Sequence, residues 1–192
     1  MTRALIVVDV QNDFCEGGSL PVDGGAKVAE RVAELVRSQV GEDADYDHVV
    51  ATKDHHIAPG DHFGSPPDYA DSWPAHCVVG SAGEEFHPAL DGAVRDGVVD
   101  EVFLKGEYQA AYSGFEGRST DGATLGAWLQ ANGVTEVDVC GLATDHCVRA
   151  TALDAVREGF ATRVLTDYAA GVAPDTTASA LADLADAGVT VV

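Results

Sequence analysis

The chain has 192 residues, 46% of them hydrophobic, with 32 acidic against 11 basic side chains and a formal charge of −21. That length fits one domain and that apolar content can bury a real core, which argues against general disorder. Three Lys and eight Arg give no basic surface for nucleic acid or an anionic membrane, and no apolar run reaches the ~20 residues of a membrane span. The N-terminal apolar stretch is short and Asp9 interrupts it, so it does not read as a secretory signal; the expectation is a soluble, cytoplasmic protein.

In chain order, Ala4–Val10 reads as a buried strand, followed by a Gly-rich loop. Lys27–Val40 has helical spacing, with Val28, Val32, Leu35 and Val36 on one face. His48–Thr52 is a second strand. From Lys53 to about Pro88 the sequence is rich in Pro, Gly, Asp and His and shows almost no period, as a long functional loop does. Val98–Leu104 is a third strand. Asp121–Asn132 reads as a helix with Asp121 as N-cap and Gly133 as its stop. A strand at Val134–Cys140, a helix at Asp145–Glu158, a strand at Phe160–Thr166, a helix at Pro174–Ala187 and a strand at Val189–Val192 complete the chain.

Short apolar strands alternating with helices predict a single α/β domain spanning residues 1–192: a doubly wound, mostly parallel sheet with helices on both faces. Such sheets place ligand chemistry beyond the carboxyl ends of their strands. That rule marks the segments after Val8, Thr52, Leu104 and Cys140.

At these ends lie chemically capable residues, each with two readings. Asp9 closes the first strand, where partial desolvation suits proton transfer; it equally fits a carboxylate that only ties down loop amides. Lys105 closes the third strand in a chain with three lysines. It is either a surface charge or a partner for Asp9. Cys147 falls in the first turn of a helix, where N–H groups stabilise a thiolate or an oxyanion; a buried packing cysteine is the other reading. Four of the seven histidines lie between positions 55 and 76, together with Asp54 and Asp61. Asp and His suit Zn, Fe(II) or Mn, and Asp-x-His in an extended segment points both side chains one way. On that reading His55 and Asp61 are bystanders. Phe14, Trp73 and Tyr112 sit in the same strand-end loops and would make a slot for a flat ring if they converge. Trp128 reads as helix packing. The four cysteines (Cys15, Cys77, Cys140, Cys147) are too sparse for a disulfide scaffold and read as free thiols.

Taken together and in this order, these segments resemble the nicotinamidases, also called pyrazinamidases, of the isochorismatase-like cysteine hydrolases. The matching stretches are Val7–Phe14, Lys53–His56 with Pro59–His62, Ser72–Cys77, Lys105–Gly106 with Ala111–Phe115, and Gly141–Val148. The likeness runs from about Ala4 to Asp167. The Asp…Lys…Cys order marks the superfamily, and the Asp-x-His…His…His set is more specific, because metal-free relatives lack it. The resemblance implies Cys147 as nucleophile, Asp9 as proton carrier and Lys105 as the third member of a triad. It implies an oxyanion hole from the backbone N–H groups of Ala143 and Cys147, with a cis peptide at Leu142–Ala143. It implies one divalent metal ion on Asp54, His56, His62 and His76, a ring held between Phe14 and Trp73, and Tyr112 lining the pocket. The substrate implied is nicotinamide, with pyrazinamide as an alternative, and the product enters NAD salvage. Affinity order favours Zn over Fe or Mn, but cellular availability decides. Three other readings remain open on the residues: an amidase for a carbamoyl or ureido substrate, attack by metal-bound water in place of Cys147, and a non-catalytic metal-binding protein. The charge is separate from all of these, because Asp9, Asp54 and Lys105 together account for one unit of it. Oligomeric state leaves no mark in the sequence.

Overall fold

A computed structural model describes residues 1–41 and 44–192. Six strands form one sheet in the order β3-β2-β1-β4-β5-β6, and every pair is parallel. The strands are β1 (Thr2–Val8), β2 (His48–Asp54), β3 (Glu101–Lys105), β4 (Val134–Leu142), β5 (Ala161–Ala170) and β6 (Thr190–Val191). The helices are α1 (Gly25–Arg37), α2 (Pro88–Arg95), α3 (Leu125–Ala131), α4 (Arg149–Arg157) and α5 (Pro174–Asp186). This is the expected doubly wound α/β sheet, and it is wholly parallel.

Strand alternation divides the core in two. Leu5 and Val7 of β1 face α1 and α2, packing with Val28, Val32, Val36 and Leu90. Ala4, Ile6 and Val8 face the other way, onto Leu125, Leu129, Ala152 and Leu184 of α3, α4 and α5. With helices on both faces the central strands have no polar side, which is why they read as continuous apolar runs. Trp128 packs edge-on against Phe103, as its helical position predicts. No helix among the described residues is long and apolar enough to cross a membrane.

Several boundaries differ from the sequence reading. Helix α2 falls in the unassigned stretch between the loop expected to end at about Pro88 and the strand expected to start at Val98. Pro88 opens it, with the His87 side chain accepting from the Ala89 N–H. Proline is well suited to a first helical turn, where its missing N–H has no partner to lose. Only Leu90 and Ala93 of α2 are buried, so no long apolar period advertises it. The carboxylate of Asp121 closes a local turn with the Ser119 hydroxyl and the Ala123 N–H. Thr124 is the N-cap of α3 instead, accepting from Ala127. The helix read as Asp145–Glu158 is a π-helical turn, Thr144–Val148, running into α4. β5 runs on to Ala170, four residues beyond its expected end. β1 stops at Val8 because Asp9 takes a positive φ of 48°, outside the extended region.

The sheet order reverses between β1 and β4, which makes a crevice beyond their carboxyl ends. Gly141 allows those two ends to approach closely. Its φ is +113°, and a Cβ there would lie 2.1 Å from the Val8 carbonyl oxygen.

Candidate active site

Asp9 leaves the end of β1, Lys105 ends β3, and Cys147 lies in the π-turn after β4. All three are buried. Lys105 Nζ is 2.9 Å from Asp9 Oδ2 and 3.6 Å from Cys147 Sγ, and it also donates to the Ala111 carbonyl at 3.3 Å. Asp9 Oδ1 accepts a 2.6 Å hydrogen bond from the Thr52 hydroxyl. The three residues drawn from distant parts of the sequence therefore meet at the topological switch of the sheet.

Their environment sets their protonation. Burial raises the Asp9 pKa, opposed by the neighbouring charge of Lys105. Burial works against the Lys105 charge, but the carboxylates of Asp54 and Asp9 outweigh it and hold the ammonium well above the ordinary lysine range. Burial also pushes the Cys147 thiol well up; Lys105 opposes this, and Asp9 and Asp54 reinforce it. The resting group is a neutral thiol beside a carboxylate of increased basicity. That pairing suits proton transfer during attack better than a preformed thiolate.

The residues expected to hold a metal converge one layer further along β2. Asp54 is the last residue of that strand, and His56, His62 and His76 surround it, all buried. Ligating atoms of the three histidines lie within 4.8 Å of one another. Asp54 Oδ2 is 3.6 Å from His56 Nε2 and 3.7 Å from His76 Nε2. His56 Nδ1 donates to the Gly106 carbonyl at 2.6 Å, and His76 Nδ1 to the Pro74 carbonyl at 2.8 Å. A carbonyl can only accept, so each Nδ1 carries a proton, and each Nε2 is the ring nitrogen turned toward Asp54. His56 Nε2 and His62 Nδ1 are buried with no hydrogen-bond partner. Burial and the adjacent histidines push the His62 pKa down to about 4, which keeps it neutral. Three imidazoles, one carboxylate and orphaned nitrogens fit a divalent transition metal such as zinc.

A second set of ligating atoms, from Asp9, Asp54 and Cys147, also lies within 4.8 Å. Lys105 already supplies positive charge there, 2.9 Å from Asp9 and 3.6 Å from Cys147. His55 pairs with Glu84, and Asp61 is exposed.

One cavity joins both sets. Phe14, Trp73 and Tyr112 line it together with Asp54, His62, His76, Ala143 and Cys147. Trp73 Nε1 donates to the Tyr112 hydroxyl at 3.0 Å, fixing one wall. The Leu142–Ala143 peptide is cis, as the resemblance implied.

The sequence reading missed several contributors. Gln11 is buried behind Asp54, donating to its carbonyl and accepting from its N–H, both at 2.8 Å. His146 stacks on Tyr112 at 6.2 Å and meets Trp73 edge-on at 5.1 Å. Leu20, Val22 and Val172 complete the apolar wall. The last three are ordinary apolar residues in loops and carry no motif that could have marked them.

Comparison with known proteins bears directly on this arrangement. Residues 3–192 match the family described as the isochorismatase domain. A nicotinamidase/pyrazinamidase of Mycobacterium tuberculosis is 58% identical over 190 residues, covering 99% of this chain and 98% of that protein. The crystal structure of a Pyrococcus horikoshii pyrazinamidase in complex with zinc superposes with a TM-score of 0.80 at 36% identity, covering 100% of this chain and 99% of that one. An L. infantum protein solved in complex with nicotinate gives a TM-score of 0.83 at 34% identity, with 100% and 92% covered.

Proposed function

The chain belongs to the isochorismatase domain family, in its nicotinamidase/pyrazinamidase group of hydrolases, and from that premise we propose that it hydrolyses nicotinamide to nicotinate and ammonia. Pyrazinamide is the proposed alternative substrate, and NAD salvage the proposed destination of the nicotinate. The observation that carries this reading is the triad itself: one buried ammonium within 2.9 Å of a carboxylate and 3.6 Å of a thiol, at the floor of an aromatic-walled cavity.

A carboxamide is a poor electrophile and needs both an activated nucleophile and a stabilised oxyanion. Asp9 takes the thiol proton as Cys147 Sγ bonds to the amide carbon. The backbone N–H groups of Ala143 and Cys147 are the proposed donors to the oxygen that becomes negative. Asp9 then gives its proton to the departing nitrogen, the C–N bond breaks, and ammonia leaves a thioester on Cys147. A water molecule surrenders a proton to Asp9 and attacks the thioester, releasing the acid and restoring the thiol. Lys105 keeps Asp9 ionised between these transfers, which a buried carboxylate could not otherwise sustain.

Asp54, His56, His62 and His76 would hold the metal, which when bound would supply Lewis acidity toward the ring nitrogen. Phe14 and Trp73 are proposed to hold the ring by its faces, with Tyr112 beside it. That brings the carboxamide to Cys147 and gives it the proximity the chemistry needs.

Ammonia release from nicotinamide tests the reading. Cys147→Ala should lower kcat by about 10⁴-fold or more, and the wild-type protein should form a thioester on Cys147 detectable by mass spectrometry. Near-normal turnover by Cys147→Ala would exclude the mechanism and favour attack by a metal-bound water. A preference for ureido compounds over nicotinamide would move the chain to another amidase class.

A further inference from the structure

The cavity mouth is tied to the nucleophile's turn through one carboxylate. Val172 lies in the β5–α5 connection and lines the cavity with Cys147, yet it is 48% exposed, against 8% for Phe14 and 6% for Trp73. It is therefore a rim residue, with one side on the cavity and the other on solvent. Its position is set by Asp145, two residues before Cys147 in the same π-turn. Asp145 Oδ1 accepts the Val172 N–H at 2.9 Å; Oδ2 accepts the Ala173 N–H at 3.3 Å and the Thr176 hydroxyl. Behind the rim, the Thr177 hydroxyl donates to the Ala173 carbonyl at 2.7 Å. Gly171 packs so tightly there that a Cβ would lie 1.8 Å from that same Thr177 oxygen. The rim cannot move away from Cys147 without breaking charge-assisted hydrogen bonds.

We infer that Val172 determines which ring-substituted pyridine carboxamides the site accepts, and that Asp145 is the positioning residue that holds it at the rim. This deepens the amidase reading above and rests on it. With its carboxamide at Cys147, its ring between Phe14 and Trp73 and its ring nitrogen toward the proposed metal ligands, a substrate turns the remaining corner of its ring, C5, toward the mouth. A substituent on that corner meets the valine methyls. In a close apolar pocket one methylene is worth about 10- to 200-fold in kcat/KM.

The experiment measures kcat/KM for nicotinamide and for its 5-methyl and 5-ethyl analogues, whose substituents lie on the ring carbon turned away from both Cys147 and the proposed metal ligands. In Val172→Ala the ratio of analogue to nicotinamide should rise about tenfold for at least one analogue. In Val172→Leu it should fall. Asp145→Asn should raise the same ratio although it removes no atom from the cavity wall. A residue that merely supports the fold would depress all substrates alike and leave the ratio unchanged. Unchanged ratios in both Val172 variants, with nicotinamide still hydrolysed, overturn the inference alone. If the wild-type protein releases no ammonia from any of the three amides, the amidase reading falls and this inference with it. Because Val172 is half exposed, its variants are expected to fold even if Asp145→Asn does not.

Discussion

Lys105 Nζ meets Asp54 Oδ1 at 2.5 Å, with both side chains sealed from solvent. Asp54 is the carboxylate of the proposed metal-ligand set, and its other oxygen faces His56 and His76. One carboxylate thus serves two centres, and one ammonium neutralises both Asp54 and Asp9. Burial would raise the Asp54 pKa, but Lys105, His56 and His76 reverse that and hold it well below the usual carboxylate range.

Lys105→Met tests this sharing. The substitution keeps the length of the chain but leaves two buried carboxylates facing each other without a counter-charge. Removing one partner of a buried ion pair costs about 3–5 kcal/mol. Denaturant unfolding should show a loss of this order, and ammonia release should vanish. A variant with wild-type stability would mean that Asp9 or Asp54 is protonated in the native protein.

Gly106 offers a cleaner probe of the ligand set. It follows Lys105, has a φ of +80°, and a Cβ there would lie 2.5 Å from His56 Cε1 and 2.8 Å from His56 Nδ1. The Gly106 carbonyl is also what orients that ring. Gly106→Ala should push His56 off its line, weakening zinc affinity about 10- to 100-fold, as loss of an orienting partner does. Competition with a chromophoric chelator reads this directly. Unchanged affinity would show that His56 is not a ligand.

The sequence made the convergence of the candidate residues legible because the proposed reactive residues stand at strand ends, and strand ends are marked by apolar runs stopping at Asp9, Lys105 and Gly141. Asp54 was readable as a candidate from Asp-x-His spacing, and its proposed ligand partners from the histidine cluster. What stayed hidden was whatever depends on three-dimensional proximity alone. Nothing local distinguishes Val172 or Leu20 from other loop aliphatics. Gln11 is a buried glutamine whose partners, Asp54 and Glu84, lie 43 and 73 residues away. The sharing of Asp54 between Lys105 and the histidines follows from β2 and β3 being neighbours in register, Asp54 opposite Lys105. Helix α2 escaped because its amphipathic face is only two residues long.

Asp145 should make stability depend on acid. Burial would raise its pKa, but the Thr176 hydroxyl and the Val172 N–H reverse this and lower it below the ordinary value. A carboxyl whose folded pKa lies below its unfolded one contributes stability above the unfolded value, about 3.9. It loses that contribution as pH falls through the lowered folded value. Wild-type protein should therefore melt above Asp145→Asn at neutral pH, and the gap should close on acidification below about pH 4. A gap that is constant with pH would assign the difference to packing.

Metal removal tests the orphaned nitrogens. His56 Nε2 and His62 Nδ1 are buried without partners, a cost that a bound cation would offset. Zinc added to chelator-stripped protein at a hundred times its Kd should stabilise the fold by about 2.7 kcal/mol. For a chain of this size each kcal/mol moves the melting midpoint by about 2–4 °C, so the midpoint should rise by about 5–11 °C. His62→Ala should lose most of that rise. Cys147→Ala should keep it, because Cys147 lies with Asp9 and Asp54 around Lys105 and not among the three histidines. If Cys147→Ala abolished the rise and His62→Ala did not, the cation would belong with the thiol, and the four-residue ligand set would be wrong.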